Sequence, residues 1–365
     1  QYIDNYWWAA PGGAQHAKRA TCIYEHWSGG PIWRRGGPFV TGLKDETLVI
    51  RTVLTNGNYD YACTFTFDLG GKIRVDLTST GFLQTHWFSE QDAAENSMAY
   101  RIHNYTAGSL HDHTYGFKID FDVNGEKNTF QTIKYKWADT KTAMNEGRQD
   151  PYSTKPPYAL WSKMRYAEKE EHATETTVNV DPMNPGSWLF GDISKKNAWG
   201  NPRMYRLKVN DAHVLANVPD DHVTMPASSF SKQFLTVTKY KESESGMSGD
   251  YDLNRLAEPQ VSLANYLDGE SIMQQDLVAW VAMSTIHLPH AEDMPVTNNI
   301  QHGLTLTPWN FFDENPTMDM PNYHRMMTGE VGKDVAKMRG SADEPTGDTC
   351  VPEVFSREME FNGVF

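Results

Sequence analysis

Short apolar runs separated by tight polar turns recur along most of this chain, and they leave little room for any fold but an all-β one. Residues 48–55 read as one strand and 61–68 as the next, with Asn56-Gly57-Asn58 between them. Asn and Gly tolerate the left-handed backbone angles that a tight hairpin demands. Gly70-Gly71 then turns the chain into 72–78, where Ile73, Val75 and Leu77 alternate with polar residues. A period of two sets one strand face against a core and the other toward water. Asn124-Gly125 closes a further hairpin between 113–123 and 129–137, and later strands are expected at 174–180, 204–209, 234–240, 278–284 and 303–308. Helical candidates are confined to 253–267 and 332–338. Residues 150–157, with three prolines, read as a linker or exposed arm, 242–252 as a loop, and the polar tail after Gly329 as a surface wrap. The pattern predicts a large antiparallel β-sandwich with few short helices.

Composition narrows the function. The 365 residues can bury a large core, and the formal net charge is −14. Nucleic acid and anionic membrane both require a basic surface, so neither is expected as a partner, whereas a cationic substrate remains compatible. No apolar run approaches about 18 residues, so no membrane span is expected. The chain begins at Gln1, which predicts processing, truncation or engineering ahead of it. Three cysteines, Cys22, Cys63 and Cys350, leave two readings: three free thiols, or one paired with another chain. Asn104-Tyr105-Thr106 is a glycosylation sequon.

Two constellations carry chemistry. Thr55-Asn56-Gly57-Asn58-Tyr59-Asp60-Tyr61 places Tyr59 where a strand leaves a tight turn, so its ring can project into a cavity. Taken alone, this is equally a hairpin with a buried tyrosine. His111 and His113 are two residues apart on an expected strand and share one face. Two neutral imidazoles so placed suit Cu(II), Zn(II) or Ni(II), and solvent-facing histidines are the alternative. No H-E-x-x-H accompanies them, which argues against a zinc hydrolase. Asp120 and Asp122 also share a strand face. With Asp276 and the backbone carbonyls of Phe121 and Leu277 they offer oxygen ligands to calcium or manganese, the alternative being solvated loop-edge acids.

The turn, the paired histidines with Leu110-His111-Asp112-His113 and Lys118-Ile119-Asp120, the stretch from His287 through Glu292-Asp293 to Pro295, and Phe311-Phe312-Asp313-Glu314-Asn315-Pro316 together resemble the copper amine oxidases. The resemblance implies a catalytic β-sandwich with extended hairpin arms, of which residues 1–365 are the C-terminal portion, and a homodimer. It implies copper(II) held by His111, His113 and His287, with His290 as the rival third ligand. It implies that Tyr59 is the precursor of a topaquinone cofactor, with Asn58 and Asp60 positioning it, and that the substrates are a primary amine and O2. A peripheral calcium or manganese site at Asp120, Phe121, Asp122, Asp276 and Leu277 follows from the same likeness, and Asp268 and Glu270 resemble ligands of a further calcium site.

One part of that pattern is missing. The family's proton-abstracting Asp and gate tyrosine lie upstream of the cofactor tyrosine, and neither motif stands before Tyr59. Ala20-Thr21-Cys22-Ile23-Tyr24-Glu25 is similar to the segment carrying the second cysteine of a family disulfide, whose first cysteine would precede Gln1. The resemblance therefore implies an upstream segment linked through Cys22 that supplies the base. Without it, a catalytically silent metal-binding β-sandwich is the other reading. A disulfide and a sequon lean toward a secreted or extracellular protein, while the family's range leaves peroxisomal and cytoplasmic locations open.

Overall fold

A computed structural model of the chain describes residues 1–9, 12–35, 40–91, 99–139, 163–181, 183, 186–210, 218–249, 251–255, 257–319 and 325–328. The chain divides into two compact units, one of residues 1–23, 49–67 and 71–314 and one of 24–48, 68–70 and 315–365. In chain order the strands are β1 (Tyr2–Ala9), β2 (Gly13–Arg35), β3 (Val40–Asn56), β4 (Tyr59–Asp68), β5 (Ile73–Gly81) and β6 (Thr85–Trp87). Next come β7 (Ala99–His103), β8 (Thr106–Ser109), β9 (His111–Phe121), β10 (Thr129–Asp139), β11 (Lys163–Glu171) and β12 (Thr176–Val178). The last are β13 (Gly186–Lys196), β14 (Pro202–Asn210), β15 (Leu235–Lys239), β16 (Leu277–His287), β17 (Thr297–Trp309) and β18 (Arg325–Thr328).

In the first unit β4-β5-β17-β14-β13-β10-β11 run side by side in one large sheet, and β12-β15-β16-β9 form a second. Every recorded ladder is antiparallel, and β1 folds onto β2 as a hairpin from Tyr2↔Cys22 to Ala9↔Gly13. In the second unit β18 pairs with β3 from Arg325↔Leu43 to Thr328↔Val40.

The core shows why two sheets form. Phe121, Leu235, Val237, Leu277, Ala279, Val281 and Met283 come from the smaller sheet, and they pack with Phe130, Phe190, Leu207 and Leu304 from the larger one. Each of these side chains larger than Ala279 contributes about 1.5–3 kcal/mol when taken from water. The odd-numbered residues of β9 and β16 face this core, while Val278 and Trp280 on the other face of β16 pack with Met247 and Leu263. The expected antiparallel sandwich is therefore what the chain builds.

Several local expectations change. Residues 253–267 do not form one helix but two short 3-10 turns, Asp252–Asn254 and Leu263–Tyr266. Pro259 has no N–H to give a helix, and the buried Asp252 carboxylate accepts the N–H groups of Gly249, Gln260 and Val261. Strand β13 was not expected, because its residues 187–192 are buried on both faces and show no alternation. The β1 and β2 hairpin was missed for the opposite reason: Tyr2, Tyr6, Trp7, Trp8 and Trp27 are exposed, so no core-facing period marks it. The 150–157 segment, the 332–338 helix candidate, the tail after Gly329 and Cys350 lie outside the described residues. Asn104 stands exposed in the turn between β7 and β8.

Phe190 is fully buried and stacks on Phe121 at 4.1 Å and on Phe130 at 4.8 Å. Phe190→Ala is expected to cost about 3–5 kcal/mol, measured as a lowered urea midpoint, because the two partner rings cannot close the gap.

Candidate metal centre and its tyrosine

The ladder between β9 and β16 assembles the centre. Its register runs from Leu277↔Phe121 to His287↔His111, so His287 lands opposite His111, and Thr285 opposite His113. The ring centroids lie 4.8 Å apart for His111 and His113, 4.7 Å for His111 and His287, and 5.8 Å for His113 and His287. One nitrogen from each of the three lies within 4.8 Å of the others.

Each imidazole is left with a nitrogen to offer. His111 Nδ1 is 2.9 Å from the Ser109 carbonyl, which can only accept, so that nitrogen carries the proton and Nε2 keeps its lone pair. His287 Nε2 lies 3.0 Å from the buried Asp293 carboxylate, an arrangement that assigns the proton to Nε2 and frees Nδ1. His113 Nε2 is buried with no hydrogen-bond partner. An orphaned imidazole nitrogen is costly, about 1–3 kcal/mol, unless an ion satisfies it. Burial and the neighbouring His111, His287 and His302 push the His113 pKa down to about 4, so the ring is neutral at ordinary pH. Three converging imidazoles with carbonyl and carboxylate groups behind them fit a Cu(II) or Zn(II) ion. His290, the rival, is exposed and turned toward Asp293, and it shares a cluster with His287 and Asp293 rather than with the other two histidines.

Tyr59 stands against the triad. It opens β4 directly after the Gly57-Asn58 turn, where Gly57 takes a φ of 63°. Its Oη is 3.3 Å from His287 Nδ1 and 3.5 Å from Thr297 Oγ1, and its ring is 4.9 Å from that of His113. Only 3% of the residue is exposed, so the site excludes bulk water. Burial raises the phenol pKa; the nearby Asp293 and Tyr61 add to this, and the Thr297 hydrogen bond opposes it. A divalent ion beside the ring would reverse that direction. Asn58 and Asp60 do not reach the ring: Asn58 Nδ2 donates to the Phe82 carbonyl at 2.6 Å, and Thr55 Oγ1 donates to Asp60 Oδ1 at 2.6 Å. Both brace the turn that aims Tyr59.

Sequence reasoning gave no role to Asp293, Thr297 or Gly81. Asp293 was visible as part of the His287 motif, but its contact depends on the 3-10 turn Ala291–Asp293. Gly81 lies opposite both Tyr59 and Thr297 in the sheet. A Cβ there would sit 2.2 Å from the Asn58 carbonyl oxygen and 2.7 Å from Tyr59 Cα, so only glycine fits.

At the other end of the β9 and β16 ladder, Asp120, Asp122 and Asp276 converge beside the Phe121↔Leu277 pair. Burial raises the pKa of Asp120 and of Asp276, as do the neighbouring carboxylates, and Asp276 Oδ1 is buried with no partner. An oxygen-rich cluster with a buried acceptor to satisfy fits a hard cation. Asp268 and Glu270 meet Glu175 in a third cluster. Cys22 and Cys63 are both unpaired, and no helix among the described residues is long and apolar enough to cross a membrane.

The family model for the copper amine oxidase enzyme domain matches residues 1–327, and the chain belongs to that family. It is 30% identical to copper-containing amine oxidase 2 of Mus musculus over 333 residues, covering 87% of this chain and 41% of that protein. It is likewise 30% identical to the copper-containing diamine oxidase of Homo sapiens over 331 residues, covering 87% and 42%. The crystal structure of Pichia pastoris lysyl oxidase shares the fold at a TM-score of 0.78 and 24% identity, covering 94% of this chain and 47% of that one. The chain thus spans less than half the length of these relatives.

The His113 environment makes a solution prediction. In the unfolded chain this imidazole titrates near 6.5, and in the folded metal-free chain near about 4. Between those values the unfolded state holds more protons, so stability rises with pH and is lost as pH falls from 6.5 toward about 4. The urea midpoint of the metal-free chain should drop over that window, and the drop should be shallower in His113→Gln. A variant with an unchanged slope would show that His113 is not the group responsible.

Proposed function

We propose that this chain is the cofactor-bearing part of an enzyme that oxidises primary amines: RCH2NH2 + O2 + H2O → RCHO + NH3 + H2O2. The observation that carries the reading is the Tyr59 phenol, enclosed and 3.3 Å from a lone-pair nitrogen of His287. His111, His113 and His287 would hold copper(II), which with O2 supplies the oxidation of the Tyr59 ring to topaquinone, the electron acceptor for the amine.

The chain's own residues prepare that chemistry. Asp293 fixes the His287 tautomer and ring plane. Thr297 and His287 hold the Tyr59 oxygen between them, while Gly81 leaves the backbone close enough for the ring to enter the site. Asn58 and Asp60 keep the turn rigid at the base of the ring. Burial keeps water from the reactive ring.

Turnover also needs a base for the substrate α proton. Asp293 is the buried carboxylate beside Tyr59, and it is already engaged by His287 and by the His290 backbone N–H. We infer that Asp293 is not that base, and the family resemblance implies an upstream segment that supplies it. Asp120, Asp122 and Asp276 would hold calcium or manganese as a structural ion, tying β9 to the loop entering β16.

The test combines copper-loaded chain with the upstream segment of a family member and measures peroxide released from a primary amine. Tyr59→Phe should keep the bound copper and the fold while peroxide release falls by at least about 10³-fold, as expected when a covalent electron acceptor is removed. Peroxide released undiminished by Tyr59→Phe would contradict the assignment. Its absence from both proteins would favour a silent metal-binding sandwich.

Gly81→Ala tests the positioning of Tyr59. It should lower stability by about 1–3 kcal/mol through forced backbone displacement, and should slow the oxidation of Tyr59 more than it lowers copper affinity. Comparing copper titrations with rates of quinone appearance separates the two effects.

A further inference from the structure

The cluster of Glu175, Asp268 and Glu270 has the carboxylates of a cation site, and it already contains a cation. We propose that Lys241 stands in place of a metal ion there, so that this loop is closed by an internal ammonium and takes no calcium. The inference rests on this cluster alone and is independent of amine oxidation.

Lys241 follows β15, Glu175 precedes β12, and residues 268–270 lie on the approach to β16. Lys241 Nζ is 2.6 Å from Asp268 Oδ2, 2.7 Å from Glu270 Oε2 and 3.6 Å from Glu244 Oε1. An ammonium has three N–H donors, and here three carboxylates surround it. Lys239 adds a second positive charge 3.8 Å from Glu270 Oε1. The lysine side chain is 28% exposed and that of Glu244 only 10%, so water screens these contacts less than it would on an open surface.

Several of the remaining carboxylate oxygens accept backbone N–H groups, while Glu244 Oε2 is buried with no hydrogen-bond partner. Glu175 Oε2 accepts from the backbone of Asp268 at 2.8 Å and of Gly269 at 3.0 Å, and Oε1 accepts from Lys239 N–H at 3.4 Å. Asp268 Oδ1 accepts from Glu270 N–H at 3.2 Å. Gly269 adopts a φ of 85°, a conformation that side-chain-bearing residues rarely take. Calcium takes 6–8 oxygens at about 2.3–2.6 Å, and an ion at the centre of this cluster would face the Lys241 ammonium. The Asp120, Asp122 and Asp276 cluster differs: among the described residues its carboxylates have no ion-pair partner. The two carboxylate clusters thus use different cations, one recruited and one built in.

The test is calcium binding by calorimetry and thermal melting in the Asp276→Asn chain, where the other cluster is broken, with and without Lys241→Met. With Lys241 present, no saturable calcium binding is expected, and the melting midpoint should be the same in EDTA and in millimolar calcium. With Lys241→Met the midpoint should fall in EDTA and recover in calcium, at one ion per chain and a Kd in the roughly 10⁻⁴–10⁻³ M range of weak oxygen sites. Lys241→Arg keeps the charge and should remain insensitive to calcium. One calcium bound with Lys241 intact would overturn the proposal, as would a folded Lys241→Met chain that takes none. If Lys241→Met does not fold, the titration of the Lys241 chain decides alone: binding refutes the proposal and no binding supports it.

Discussion

Everything at the centre depends on the register of β9 against β16. Side chains alternate across a strand, so a slip of one residue would put His111 and His113 on the opposite sheet face from His287. The slip is prevented by the same alternation further along the ladder, where Phe117, Ile119 and Phe121 face the core with Leu277, Ala279, Val281 and Met283. The hydrophobic core is therefore what brings the histidines together. The ladder also sets two candidate ligand sets apart. The nitrogen donors lie at one end and the carboxylates at the other, ten residues and roughly 30 Å away at about 3.4 Å per residue. A soft-leaning metal and a hard cation can then be held by one pair of strands without sharing ligands.

Burial disfavours charge at both ends. At the histidine end it removes charge: His113 becomes neutral, and the Tyr59 phenol holds its proton more firmly. At the carboxylate end it raises the pKa of Asp120 and of Asp276, and the neighbouring carboxylates raise them further. In both places the folded chain carries a cost that a cation would offset, and in both a buried polar atom marks it, His113 Nε2 and Asp276 Oδ1. The Lys241 cluster shows the alternative solution, with the compensating charge contributed by the chain itself.

The elements legible in the sequence were those whose signals are local. Asn56-Gly57-Asn58 and Gly70-Gly71 set hairpins wherever they occur, and the alternation in 72–78 needed no partner to be read. The pair His111 and His113 was legible because strand geometry alone puts them on one face. What escaped depends on distant chain. Asp293 reaches His287 only after a turn forms, and Gly81 is constrained by Tyr59, twenty-two residues earlier, only once β4 and β5 are paired. Residues 253–267 failed as a helix because the Asp252 carboxylate captured the amides of residues up to nine positions away. The Lys241 ion pairs were hidden for the same reason, since Lys241 and Asp268 are separated by 27 residues of loop and 3-10 turn.

We propose that the triad and Tyr59 form a complete unit for making the cofactor, whatever else turnover requires. Peptide mapping by mass spectrometry of metal-free chain after addition of Cu(II), with and without O2, tests this. An oxidised Tyr59 residue is expected, at up to one per chain, only when copper and O2 are both present. Copper bound by His111, His113 and His287 with Tyr59 unmodified in air would contradict it.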